Sequence, residues 1–94
     1  MALNFEWDPQ KAAKNIAKHG VSFQEAESVF GDALGRIATD PRHSIDEERY
    51  VLLGVSRRRR LLAVMFTDRG EAIRLISARR ATPRERRDYE QGTS

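Results

Sequence analysis

LLAVMFTDRGEAIRLISARR, residues 61–80, is the stretch from which the fold is read. Two apolar, partly β-branched runs flank Asp68, Arg69, Gly70 and Glu71, which is a short-range signal for a β-hairpin. With those four residues as the turn, Thr67 falls opposite Ala72. Pairing then continues outward through Phe66 with Ile73, Val64 with Leu75, Leu62 with Ser77 and Arg60 with Arg79. Side chains alternate along a strand, so this register puts Arg60 and Arg79 on one face and Arg74 and Arg80 on the other. Arginines stand at the turn and at both outer ends, and a hairpin so charged reads as the floor of a nucleic-acid site.

The segments before the hairpin supply its cover. Asn4 to Trp7 forms an edge strand or packs beneath the sheet. Asp8 is placed to cap a helix over residues 9–19, with Pro9 in the first turn, where a missing N–H costs nothing, and Gly20 as its left-handed stop. Its apolar stripe is Ala12, Ala13 and Ile16. A second helix over residues 22–30 follows, opened by the capping-box spacing of Ser22 and Glu25, with Phe23, Ala26, Val29 and Phe30 turned inward. Residues 33–39 read as a weak edge strand, 40–44 as a polar loop and 49–55 as a stronger strand. Residues 56–59 then turn the chain. Thr82, Pro83 and Glu85 repeat the helix-start pattern for a short helix over residues 83–91, after which Gly92, Thr93 and Ser94 fray. The order predicts one α+β domain over residues 1–94, with two N-terminal helices packed on one face of a four-stranded antiparallel sheet and a short C-terminal helix. The uncovered face is then expected to carry the function.

Charge is distributed unevenly along the chain. Residues 1–56 hold six basic and nine acidic side chains, whereas residues 57–94 hold eleven basic and five acidic. All eleven are arginine, whose planar fork grips phosphate through paired hydrogen bonds and stacks on bases. Nucleic acid is the expected partner; a solvated basic surface and a landing site for an acidic protein remain open. There is no cysteine, so neither a disulfide nor a thiolate metal site is available. No signal peptide and no membrane-length apolar run is apparent, so a soluble, cytoplasmic protein is expected.

Two stretches carry a family pattern: F-x-W-D-P-x-K-A-x-x-N-x-x-K-H-G-V-S-F-x-E-A from Phe5 to Ala26, and R-L-I-S-A-R-R-A-T-x-x-E-R-x-x-Y from Arg74 to Tyr89. With D-P-x-H-S from Asp40 and D-E-E-R-Y from Asp46, they make the chain resemble the BrnT toxins of bacterial type II toxin–antitoxin systems. The resemblance implies a RelE-like fold and a small endoribonuclease that stops translation by cutting mRNA, free or on the ribosome. It also implies neutralisation by a BrnA-like antitoxin, through which alone operator DNA would be reached. Where the family reads T-E-R-G, this chain has Thr67, Asp68, Arg69 and Gly70. Some relatives place histidine where Phe66 stands, so a base carried over to that position would be absent.

Cleavage of this kind needs neither metal nor cofactor, since the ribose 2′-OH beside the broken bond can attack phosphorus. The protein has to align that attack, move two protons and stabilise developing negative charge. The catalytic candidates are Arg69, Arg79, Arg80, Tyr89 and His19. Each also has a plainer reading: Arg69 as an exposed turn residue, Arg79 in a structural ion pair, Tyr89 packing the last helix, and His19 favouring a helix C-terminus. His43 reads as a solvated loop residue. Arg57, Arg58, Arg59 and Arg60, with Lys18, Arg84 and Arg87, are the RNA-binding candidates, and the arginine run could equally receive an acidic antitoxin segment. The competing function is a non-catalytic nucleic-acid-binding or partner-binding module. A DNA-reading helix is disfavoured because residues 22–30 are acidic.

Overall fold

The structure, a computed structural model, describes residues 3–43 and 47–92, and of His43 only the backbone. The expected solvation of the His43 side chain, the loop end at Ser44, the acidic Asp46 and the fraying of Thr93 and Ser94 lie outside the described residues.

Five strands form one sheet: β1 (Phe5–Glu6), β2 (Arg36–Thr39), β3 (Tyr50–Val55), β4 (Leu61–Asp68) and β5 (Ile73–Arg80), in the order β1-β5-β4-β3-β2. Helices α1 (Pro9–His19) and α2 (Phe23–Val29) precede β2, and α3 (Pro83–Gln91) follows β5. The α+β expectation stands, but the four-stranded antiparallel sheet is corrected to a five-stranded mixed one. β1 runs parallel to β5, with Phe5 opposite Ile73, and the Ile73 N–H donates to the Asn4 carbonyl at 2.8 Å. Two residues are too few to show a period, and their partner lies far along the chain.

The helix starts follow the sequence grammar. Asp8 accepts from the Gln10 N–H at 2.8 Å, and Gly20 closes α1 at φ 69°. Ser22 caps α2, and Thr82 forms a full capping box with Glu85 at the start of α3. Phe23, Ala26 and Val29 are buried against Leu52, Leu62, Val64, Phe66, Leu75 and Ala78, forming the main core beneath α2. A smaller cluster lies on the opposite face, where Tyr89 of α3 packs with Leu53, Leu61 and Ala63. The face expected to be uncovered is therefore partly roofed by α3.

The register of the hairpin departs from expectation in two ways. The turn moves outward to residues 69–72, closed by the Arg69 N–H on the Ala72 carbonyl at 2.8 Å and by Asp68, whose carboxylate accepts from the Gly70 N–H at 2.9 Å. Thr67 pairs with Arg74 and Phe66 with Leu75, a two-residue shift that preserves the faces. A bulge then intervenes, so that Met65 pairs with Ser77, Val64 with Ala78, Ala63 with Arg79 and Leu62 with Arg80. The one extra residue in β5 exchanges everything beyond it. Ala78 and Arg80 fall on the helix side, and Ser77 and Arg79 on the other, the reverse of the predicted assignment for the two arginines. The bulge is driven by burial: Leu75 and Ala78, three residues apart, are both needed in the core.

α1 also turns differently. Ile16 is 51% exposed and Ala13 is exposed, while Asn15, at 6%, is the one buried residue of the helix. β1 ends opposite Arg74, which leaves the outer edge of β5 without a strand further on. Asn15 serves that edge. Its Nδ2 donates to the carbonyls of Ala78 (2.8 Å) and Val21 (2.9 Å), and its Oδ1 accepts from the Ala78 N–H at 3.1 Å. Substituting Asn15→Asp keeps the acceptor but sets carboxylate oxygen against two carbonyls. It is expected to cost about 2–4 kcal/mol, read as a lower midpoint in urea with an unchanged slope; a midpoint equal to wild type would show that the edge needs no such partner.

Candidate nucleic-acid interface

Among the described residues, one set of arginines is held by carboxylates and another shows no close carboxylate partner. Arg60 is held most fully. Its guanidinium forms a fork with Glu25, Nε on Oε2 at 2.9 Å and Nη2 on Oε1, and also donates to the Gly20 carbonyl at 3.0 Å. Glu25 is 2% exposed and accepts a further bond from the Ser56 hydroxyl at 2.7 Å. The Arg60 hydrogen bonds hold its carboxyl below the usual range against the opposing effect of burial, and they raise Arg60 in turn. α2 is thereby locked to the β3–β4 turn, where the Arg57 N–H also donates to the Ser28 hydroxyl at 2.9 Å.

Arg79 is gripped in the same way. Its two terminal nitrogens meet the two Glu85 oxygens at 2.7 and 3.0 Å, while Glu85 also accepts from the Thr82 N–H at 2.9 Å. Arg79 thus ties β5 to the first turn of α3, and its hydrogen bonds pull the Glu85 carboxyl down. Arg74 pairs with Glu6 at 2.9 Å and Arg69 with Glu47 at 3.1 Å, and Arg36 donates to the Asp88 carbonyl at 2.8 Å. Arg69 and Arg79 do not meet. Arg79 sits opposite Ala63 and Arg69 follows Asp68, a separation of roughly 20 Å along the chain of β4 at about 3.3 Å per residue.

Tyr89 is bound as well. Its hydroxyl donates to Asp32 Oδ2 at 2.6 Å, and Asp32 also accepts from the N–H groups of Val55 (2.8 Å) and Leu34 (2.9 Å). Burial alone would raise the Asp32 carboxyl, yet these three bonds bring it below its ordinary range. The same bond pushes the Tyr89 hydroxyl up to about 12.

Among the described residues, the exposed cations without a close carboxylate partner lie elsewhere. Arg57, Arg58 and Arg59 are exposed on the β3–β4 turn; Arg58 comes only within 3.9 Å of Glu25, and Arg59 is held at φ 62°, a left-handed conformation usual for glycine. Arg84, Arg86 and Arg87 are exposed on α3, and Arg80 is exposed at the end of β5. Beside β5, Lys11, Lys14, Lys18 and His19 of α1 line an open groove of about 200 Å³ with Asn15, Ile76 and Ser77. No carboxylate lines it. Asn15 joins the end of α1 to Ala78, and Arg80 lies two residues farther on the same side of β5, so His19, Lys18 and Arg80 belong to one corner of the molecule. Lys11, Lys14 and Ser77 were not singled out from sequence, although the spacing of the lysines was legible there. Among the described residues, no cluster of three or more histidine, cysteine, aspartate or glutamate side chains could hold a metal ion.

A profile of the family described as "Ribonuclease toxin, BrnT, of type II toxin-antitoxin system" matches residues 7–85. The chain belongs to the BrnT family. It is on that ground an RNA-cleaving enzyme and the toxin half of a toxin–antitoxin pair. The fold is similar to the crystal structure of the Brucella abortus ribonuclease toxin BrnT, with a TM-score of 0.63 and 27% sequence identity over 86% of this chain and 99% of that one. No curated protein sequence matches the chain. No helix among the described residues is long and apolar enough to cross a membrane.

The Tyr89 bond to Asp32 has a measurable signature. Because the folded state raises this hydroxyl from its ordinary 10.0 to about 12, the stability it contributes is fully present below pH 10 and disappears as pH rises toward 12. Phenolate absorbance of the folded protein should therefore show Tyr89 ionising last, with a midpoint near 12, and Asp32→Asn should lower that midpoint. Titration of both tyrosines at the ordinary value would show that α3 is not held by this bond.

Proposed function

We propose that this BrnT-family chain is a metal-independent endoribonuclease of RelE-like architecture, acting in the cytoplasm on mRNA, free or on the ribosome, and so halting translation. The observation that carries the reading is that His19 and Lys18 line one groove whose lining holds no carboxylate, with Arg80 exposed at the end of the adjoining strand.

The nucleophile belongs to the substrate. The ribose 2′-oxygen attacks the adjacent phosphorus, its proton passes to a base, and the bond to the 5′-oxygen breaks as that oxygen receives a proton. The products are a 2′,3′-cyclic phosphate and a 5′-hydroxyl. Imidazole suits the first proton transfer. The Lys18 ammonium serves the second, and Arg80 offers paired donors to the non-bridging oxygens as charge accumulates. Arg79, held by Glu85, positions Arg80 by fixing the junction of β5 and α3. Arg69 and Tyr89, both bound to carboxylates, support the ends of the sheet. Arg57, Arg58, Arg59, Arg84 and Arg87 draw RNA in through charge, while Arg60 anchors the β3–β4 turn that carries the first three.

The partner in this reading is a BrnA-like antitoxin that occupies the basic surface and reaches operator DNA by its own DNA-binding part. Purified protein with chelator present should cut RNA to cyclic phosphate and 5′-hydroxyl ends. His19→Ala should lower kcat by about 10²–10⁴-fold with folding intact. Cleavage that requires an added divalent ion, or a fully active His19→Ala, would refute the mechanism.

A further inference from the structure

α1 carries a charge pattern that the fold does not use. Lys11, Lys14 and Lys18 occupy positions three and four residues apart, and the helix contains no acidic residue to offset them. Like charges at these spacings repel, each pair costing a few tenths of a kcal/mol. None of the three has a carboxylate partner among the described residues. The arginines Arg60, Arg69, Arg74 and Arg79, by contrast, are each paired with a carboxylate. The lysine row instead borders a groove of about 200 Å³, whose other wall is Ile76 and Ser77 of β5. The bulge puts these two residues there: Ile76 is the extra residue, and Ser77 follows it on the side away from the main core.

We infer that this groove is a backbone-tracking subsite for single-stranded RNA, extending from the corner at His19 toward the start of α1. The inference rests on the ribonuclease reading and goes beyond the reacting phosphate. Lys14 and Lys11 each neutralise a phosphate outside the scissile bond, and the Ser77 hydroxyl, which has no partner among the described residues, donates to a phosphate oxygen. Lys11 and Lys18 are separated by about 10 Å along the helix axis, enough for a strand to pass with successive phosphates against the row. Apart from His19, which the mechanism gives to proton transfer, no aromatic side chain lines the groove, so it offers the bases no run of stacking platforms. Contacts of this kind position the strand without reading its sequence. Asn15 forms the floor: its amide is consumed by Ala78 and Val21, which keeps α1 and β5 at a fixed spacing.

The test measures binding of a short, uncleavable 2′-O-methyl oligoribonucleotide by fluorescence anisotropy across a salt series. Wild type is compared with Lys11→Gln/Lys14→Gln and Lys11→Arg/Lys14→Arg, and circular dichroism verifies folding. Each phosphate contact on a single strand contributes about 0.7 to the slope of log affinity against log salt, so the glutamine pair should reduce that slope by about 1.4 and weaken binding about tenfold or more at low salt. The arginine pair should restore both. An unchanged slope and affinity in the glutamine pair would overturn the inference, as would recovery of binding only to an acidic protein. Wild-type cleavage of the unmodified oligonucleotide separates the two readings. Cleavage with an unchanged slope removes the groove alone, and a reduced slope without cleavage removes the ribonuclease mechanism while the groove stands.

Discussion

One side-chain amide does the work of a missing strand. A five-stranded sheet that ends in the two-residue β1 leaves most of the outer edge of β5 without a backbone partner, and buried N–H and C=O groups in that state are expensive. Asn15 supplies a donor and an acceptor to Ala78 and a second donor bond to Val21, joining β5, α1 and the link to α2. It is a polar residue on the face where an amphipathic helix would ordinarily place an aliphatic one. The price is a helix whose exposed Ile16 looks wasted, and the consequence is that α1 lies along the β5 edge with its lysines bordering a groove.

The second constraint is the way carboxylates sort the arginines. An arginine-rich half suggests a uniformly phosphate-binding surface, but a guanidinium already gripped by two carboxylate oxygens has less to offer a ligand than a free one. Glu25, Glu85, Glu6 and Glu47 take up Arg60, Arg79, Arg74 and Arg69. Three of these pairs fasten elements together: α2 to the β3–β4 turn, α3 to β5, and β1 to β5. The burial of Glu25 makes its pair sensitive to the loss of either partner, since the survivor would be left with an uncompensated charge. Among the described residues, the cations without a close carboxylate partner, which the proposed function gives to RNA, lie on α1, the β3–β4 turn, the end of β5 and α3.

Much of this was legible in the sequence. The caps at Asp8, Ser22 and Thr82, the left-handed stop at Gly20 and the inward row Phe23, Ala26, Val29 depend on neighbours a few residues away, and local chemistry dictates them. The family pattern was legible too, because it is spread over nearly the whole chain. The parts that escaped are decided by contacts between distant residues. β1 exists only because β5 is there to pair with. The bulge at Ile76 arises from the need to bury Leu75 and Ala78 together, and a strict alternation applied to that strand assigns Arg79 and Arg80 to the wrong sides. The likeness of α1 to a lysine-flecked apolar helix hid Asn15, whose role is visible only when the edge it serves is known. For the candidate site, residue type pointed to arginine, while the carboxylates that hold Arg60, Arg69 and Arg79 are what move the proposed chemistry to Lys18, His19 and Arg80.

In the proposed mechanism RNA lies against α1 and the β5 edge rather than across the hairpin turn and the α3-covered face. Mapping the amide and side-chain NMR shifts of the protein as an uncleavable oligoribonucleotide is added tests it most directly. The largest changes are expected at Lys14, Lys18, His19, Ser77 and Arg80. Changes centred instead on Arg69, Arg79 and Glu85, with α1 undisturbed, would contradict it.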